Sequence, residues 1–257
     1  MKPIHTLART HFLLGVQSLV VILISINRLS SLTTGYVASN EFLRWVDVNN
    51  MLILPLFSTV AFYLLIKQME LFSPSVVSMT DGSHRHSTDG HQPSSPRGRA
   101  ALVLNLVFIV GVYLLAASYG DHEVTNYLHV RFCMPDDGSA LCRIIIFNDD
   151  EFSHWVFFTG FVLINAGVML FQLVFPWREK ISRGDVVLLI LNGVFISAGI
   201  FANLAFEVIG LDLYIVALLA ALSFYLLWQR GLQPLFLYYA TAYGLGLAAT
   251  FLYKMLG

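Results

Sequence analysis

Long apolar runs dominate the sequence and alternate with short polar stretches. Seven of these runs reach or approach the roughly 20 residues that an α-helix needs to cross a bilayer. They are Thr10–Asn27, Val48–Ile66, Ala100–Tyr119, Trp155–Phe175, Val186–Phe206, Leu211–Trp228 and Pro234–Leu256. The pattern predicts an all-α fold, a polytopic bundle of seven transmembrane helices that forms a single transmembrane domain over residues 1–257.

Small residues recur in the fifth and seventh runs and predict that these two helices pack closely. The fifth run carries Gly193 and Gly199, and the seventh carries Gly244 and Gly246. Small side chains at such positions let the backbones of membrane helices approach each other. Isolated polar residues within the runs, such as Gln17, are expected to form hydrogen bonds between helices.

Composition agrees with a membrane location. The chain is 57% hydrophobic and only 12% charged, whereas soluble domains carry roughly 25% charged residues. Its net charge of −1 gives no basic excess for binding nucleic acid. The sequence therefore predicts a multi-pass protein of the plasma membrane or an equivalent membrane, surrounded by lipid and without a nucleic-acid partner.

The distribution of basic residues predicts the orientation of the bundle. If the N-terminus is cytoplasmic, ten of the 15 Lys and Arg residues fall on the cytoplasmic side and five on the other. Cytoplasmic segments of membrane proteins are enriched in Lys and Arg. Seven spans then place the C-terminus outside, an N-in/C-out topology.

Two of the predicted connections are long. Residues 73–98 are rich in Ser, Pro, Gly and His, a composition that predicts a disordered cytoplasmic loop. Residues 120–153 form the predicted exoplasmic loop, and loops of this length are commonly functional. The loop contains Cys133 and Cys142, the only two cysteines. Their spacing and exoplasmic position favour a structural disulfide, with a metal-thiolate or redox pair as the alternatives.

Histidines and carboxylates are concentrated at both ends of the predicted exoplasmic loop. If the third helix continues beyond its apolar run, His122 and His129 lie two turns apart on one face. Asp150 and His154 are four residues apart and can share a face of the fourth helix. The pattern indicates a site for zinc or another transition metal, with these four residues as ligands and Glu123 as the proton carrier. The alternative is that the acidic helix ends are simply solvated and the histidines anchor them at the membrane surface.

Three further polar residues lie near the predicted outer ends of the fifth and sixth helices. They are Asn203, Glu207 and Asp212. They are candidates for completing the same site, although capping of the two helices is the favoured interpretation.

Motifs of other seven-helix families do not occur. The chain has no histidine after His154, so it lacks the H-x-x-x-H pair that ceramidase-like and adiponectin-receptor-like hydrolases carry on the last helix. Lys254, the only lysine of the last run, lies at its end, whereas rhodopsins bind retinal through a lysine in mid-helix. No known family is assigned from the sequence.

Two functional hypotheses remain. The first is a metal-dependent hydrolase with an exoplasmic His/carboxylate site that acts on a lipid or amphipathic substrate. The alternative is a non-enzymatic membrane subunit, receptor or transporter whose acidic outer loop is an interaction surface. The absence of clear midplane charges in the sequence speaks against an ion-coupled carrier.

Overall fold

The computed structural model describes residues 6–29, 31–71, 96–134, 138–206 and 210–256. Within these ranges, seven helices are long and apolar enough to cross a membrane, which confirms the predicted all-α, multi-pass fold. They are α1 (Thr6–Leu29), α2 (Trp45–Leu71), α3 (Pro96–Cys133), α4 (Ala140–Val174), α5 (Arg183–Phe206), α6 (Leu211–Arg230) and α7 (Pro234–Leu256).

Helices α3 and α4 extend far beyond their apolar runs. The prediction of a loop over residues 120–153 is therefore wrong for most of its length, because helix continues to Cys133 and resumes at Ala140. The 38 residues of α3 correspond to about 57 Å of helix, against about 30 Å of hydrocarbon. The end of an apolar run marks where a helix leaves the hydrocarbon, and not where the helix ends. At its other end, α3 already includes residues 96–98 of the predicted disordered stretch, and the remainder of that stretch lies outside the described residues.

The helices pack as neighbouring pairs around a core of large side chains. Helix α3 packs along α4 and α5 packs along α7, while α1 contacts both α2 and α5. The core is filled by fully buried side chains of α4 and α7, including Phe171, Phe236 and Tyr243. The close α5–α7 pairing confirms the prediction from the small residues.

Glycine allows α3 and α4 to approach closely. A Cβ atom on Gly160 would lie 2.7 Å from the carbonyl oxygen of Gly111 and 2.7 Å from the amide nitrogen of Leu115. Real Cβ atoms do not approach backbone atoms so closely, so only glycine fits at residue 160 without a shift of one helix. This contact sets the spacing of the two helices that carry the predicted site.

Polar residues within the bundle hydrogen-bond to neighbouring helices, as expected. The Gln17 side chain of α1 donates to the carbonyl of Ser58 in α2, at 2.8 Å, and accepts from the Ser58 hydroxyl at 2.6 Å. The Ser18 hydroxyl donates to Asn192 of α5 at 3.3 Å. These bonds satisfy polar groups in apolar surroundings and tie α1 to both neighbours.

One end of the bundle is built differently from the rest. Three π-helical segments, Asn49–Ile53, His129–Cys133 and Asn148–Phe152, occur where α2 and α4 begin and α3 ends. Such segments are rare and are frequent at functional sites. Cys133 and Cys142 are joined there, with their Sγ atoms 2.09 Å apart, which confirms the predicted pairing. The disulfide ties the end of α3 to the start of α4.

Candidate metal centre

A buried carboxylate lies between the long ends of α3 and α4. Asp149 is only 1% exposed, and its Oδ2 atom lies 2.8 Å from Nδ1 of His129. Its Oδ1 atom lies 3.1 Å from Nδ1 of His122. An ionised carboxylate can only accept hydrogen bonds, so His129 donates through Nδ1, whereas His122 lies at ion-pair distance and its Nδ1 is also 3.4 Å from the main-chain carbonyl of Asp149. The prediction that His122 and His129 share one face of α3 is confirmed, and both rings meet Asp149.

Further hydrogen bonds fix Asp149 in place. The side chain of Asn126 donates to Oδ2 of Asp149 at 3.3 Å, and Asn126 lies between the two histidines on α3. The Ser153 hydroxyl donates to the main-chain carbonyl of Asp149 at 2.7 Å. In turn, the Ser118 hydroxyl donates to the carbonyl of Ser153 at 2.8 Å. Residues 118, 122, 126 and 129 thus form a polar stripe on α3 that holds the start of α4.

A group of possible metal ligands surrounds His129. Potential ligand atoms of His129, Asp149 and Asp150 all lie within 4.8 Å of one another. In the part of the chain that the structure describes, no other three His, Cys, Asp or Glu residues form such a group. Asp149 is buried and Asp150 is exposed, so the group reaches from the interior to solvent. One imidazole nitrogen and two carboxylate oxygens form a donor set that suits Zn²⁺ and related divalent transition metals.

The other two predicted ligands, His122 and His154, lie next to each other. The rings of His122 and His154 are 5.1 Å apart between centroids. Both line a cavity of about 390 Å³, together with Asn50 and Asn203. The four predicted ligands therefore fall into two neighbouring pairs, His129 with Asp150 and His122 with His154. Asp149, which bridges the two pairs, was not among the predicted ligands.

Glu123 lines a second polar cavity. This cavity has a volume of about 240 Å³ and is also lined by Arg44, Asp47 and His122. Arg44 donates two hydrogen bonds to Asp47, from Nη2 at 2.8 Å and from Nε at 3.1 Å. These hydrogen bonds, together with the nearby charge of Glu123, raise the pKa of the Arg44 guanidinium above its usual value. Glu123 is buried, with 7% of its surface exposed, beside a permanently charged guanidinium.

The additional candidates are placed differently. Asn203 lines the larger cavity with His122 and His154, so it belongs to this end of the bundle. Asp212 is buried in the first turn of α6, where the helix dipole stabilises a carboxylate. Glu207 lies outside the described residues.

Sequence reasoning missed Asp149 and the residues contributed by α2. Asp149, Asp150 and Glu151 are adjacent acids, and sequence alone does not show which of them turns inward. Arg44 precedes the second apolar run and Asn50 lies near its start. Polar residues are expected at the end of a membrane span whatever their role, so neither residue stood out. No spacing in the sequence distinguishes Asp149 from its two acidic neighbours.

Comparisons of the chain with protein-family models, with curated proteins and with solved structures give no match. No similarity to a known protein therefore supports a particular function. What the protein does has to be inferred from the side chains at this end of the bundle.

Proposed function

We propose that this multi-pass membrane protein binds a divalent transition metal ion, zinc in the first instance, between His129, Asp149 and Asp150. The observation that carries the proposal is the cluster of ligand atoms within 4.8 Å of one another. One of these ligands, the carboxylate of Asp149, also makes an ion-pair contact with the imidazole of His122. Metal sites commonly have this construction, in which hydrogen bonds from neighbouring groups orient the ligands.

The side chains present fit such an ion. Zn²⁺ is commonly bound by three protein ligands of N and O type when a fourth position stays open. His129, Asp149 and Asp150 supply three such ligands, and the exposure of Asp150 gives an ion access from water. Binding requires the proton between His129 and Asp149 to leave, so affinity is expected to fall as the pH is lowered.

The finer proposal is hydrolysis of an amphipathic substrate on the exoplasmic side. A metal ion with an open position lowers the pKa of its bound water to about 7 and so supplies hydroxide at neutral pH. The cavity lined by His122 and His154 adjoins the cluster and offers room for a substrate. Glu123 lines the neighbouring cavity with His122 and serves as the proton carrier. The excess of Lys and Arg on the opposite side and the disulfide, which persists in oxidising surroundings, support the exoplasmic location.

A second candidate function, an interaction with another membrane subunit, is favoured by the apolar tip of α3 and α4. Around the disulfide, large apolar side chains are exposed, among them Phe132, Met134, Leu141 and Ile144. Contiguous exposed apolar groups are typical of contact surfaces. This candidate predicts a stable partner at that tip and makes no demand on metal content.

Metal analysis of the purified full-length protein tests the proposal. Bound metal is first removed with a chelator and zinc is then added back. Elemental mass spectrometry should then find one zinc per chain. His129→Ala should abolish stoichiometric zinc, and His122→Ala should weaken binding about 10- to 100-fold, as is typical when a supporting residue is lost. Glu151→Gln, which changes an adjacent exposed carboxylate, is the matched control and should keep the zinc. A wild-type protein without zinc, or equal loss in the control, would contradict the proposal.

A further inference from the structure

An apolar groove lies between α3 and α4 at the end of the bundle that is far from the proposed metal site. It has a volume of about 510 Å³, and Arg99 lines it together with apolar side chains of both helices. The apolar residues include Val103 and Leu104 of α3 and Leu170, Leu173 and Val174 of α4. His122 follows Arg99 by 23 residues along α3, which corresponds to about 34 Å of helix. The groove and the proposed metal site are therefore separate places on the molecule.

Arg99 indicates the depth of this groove in the bilayer. It is exposed, and the apolar run of α3 begins at the next residue, Ala100. Val103, one helical turn further, is 58% exposed. An arginine directly before a membrane span extends its guanidinium to the level of the lipid headgroups, whereas exposed apolar side chains after it face the acyl chains. The groove therefore opens at headgroup depth, and its walls continue into the hydrocarbon.

The charges at this end of the bundle favour an anion. In the described part of the chain, no carboxylate lies within ion-pair distance of Arg99. Two of the three described acids at this end have other partners, since Glu70 pairs with Lys67 at 2.8 Å and Asp185 contacts His11 at 3.0 Å. Eight described Lys and Arg residues lie at the same end, so its net charge is positive and attracts anions. The eight are Arg9, Lys67, Arg97, Arg99, Arg178, Lys180, Arg183 and Arg230, and the third acid is Glu179.

We propose that this groove binds one anionic phospholipid, with the phosphate of its headgroup at Arg99 and one acyl chain between α3 and α4. Along the groove, a single cationic group is followed directly by apolar walls, and a phospholipid presents the matching order of phosphate and acyl chain. A guanidinium can donate two parallel hydrogen bonds to a phosphate. The predicted N-in topology places this end in the cytoplasmic leaflet, where anionic lipids are found. A zwitterionic lipid carries a cation of its own and gains less from the positive surroundings.

Helix α5 offers a matched control that lacks the groove. It begins at Arg183, which is exposed and, like Arg99, has no carboxylate within ion-pair distance among the described residues. Val187 follows Arg183 by four residues and is 54% exposed. Val103 stands in the same relation to Arg99 and is similarly exposed. Neither Arg183 nor Val187 lines the groove, so the two pairs share charge, spacing and exposure and differ in the groove alone.

Native mass spectrometry of the purified full-length protein in detergent tests this inference. The protein is titrated with phosphatidylglycerol and, separately, with phosphatidylcholine of the same acyl chains. We expect one phosphatidylglycerol per chain to bind about five- to tenfold more tightly than phosphatidylcholine, the size of effect that one basic group has at a membrane surface. Arg99→Gln should remove this preference. Val103→Trp should weaken the binding of both lipids at least fivefold, because the indole occupies the groove, while Arg183→Gln and Val187→Trp should leave both affinities unchanged.

Three results would overturn the inference. The first is equal affinity of the wild-type protein for the two lipids, and the second is an equal effect of the α3 variants and the α5 variants. The third is displacement of the bound lipid by excess inorganic phosphate, which would show a site for phosphate alone without an acyl chain in the groove. None of the four substitutions changes a residue of the proposed metal site, so the lipid titration and the zinc measurement succeed or fail independently.

Discussion

Replacing Asp149 with asparagine removes the negative charge that lies beside both His122 and His129. The size of the side chain stays the same. An asparagine can still accept a hydrogen bond at Oδ1, but its amide nitrogen is a donor and faces the donating nitrogen of the other histidine. The substitution therefore loses either the hydrogen bond that Asp149 accepts from His129 or the ion-pair contact with His122. A hydrogen bond to a charged group contributes about 1.5–3 kcal/mol, and the remaining buried donor adds to the cost. We expect a destabilisation of about 2–4 kcal/mol.

Thermal unfolding of the metal-free protein in detergent measures this effect. For a chain of this length, about 2–4 °C of melting temperature correspond to 1 kcal/mol, so Asp149→Asn should lower the melting temperature by about 5–15 °C. Asp150→Asn is the matched control, since an exposed carboxylate changes stability by no more than about 0.5 kcal/mol. Equal melting temperatures for the two variants would refute the argument that Asp149 is the structural centre of the site.

Two further predictions concern the fold. Gly160→Ala should destabilise the protein by about 1–3 kcal/mol, because the new methyl group meets the α3 backbone. The control in the same thermal assay is Gly120→Ala on α3, where a Cβ atom meets nothing within 4 Å. For the N-in/C-out topology, alkaline phosphatase fused after Leu256 should be active on the outer side, and the same enzyme fused after Arg230 should be inactive; the reverse pattern would contradict the topology.

The features that follow from simple periodicity could be predicted from the sequence. Long apolar runs specify seven spans because a bilayer leaves the backbone few alternatives to helix. The spacing of His122 and His129 places both on one face of α3, and the observed contacts with Asp149 agree. Close packing of α5 and α7 follows from glycines that leave room for a neighbouring backbone.

The features that depend on packing between helices could not be predicted. Nothing in the apolar pattern shows that α3 and α4 continue as helices beyond their apolar runs, because hydropathy reports the surroundings of a segment and not its backbone conformation. The inward turn of Asp149 and the outward turn of Asp150 depend on the rotation of α4 against α3. A π-helical segment over Asn148–Phe152 further alters the angle between successive side chains, so an α-helical projection misplaces them.

The central claim is that His129, Asp149 and Asp150 hold one metal ion, and X-ray absorption at the zinc edge tests it most directly. In the zinc-loaded protein, we expect a first shell of nitrogen and oxygen at about 2.0–2.2 Å without sulfur, and an outer-shell signal from one imidazole. That imidazole signal should persist in His154→Ala, whereas His129→Ala should retain no stoichiometric zinc to give a spectrum. A spectrum with two or more imidazoles, or one that matches hydrated zinc, would contradict the proposed ligand set.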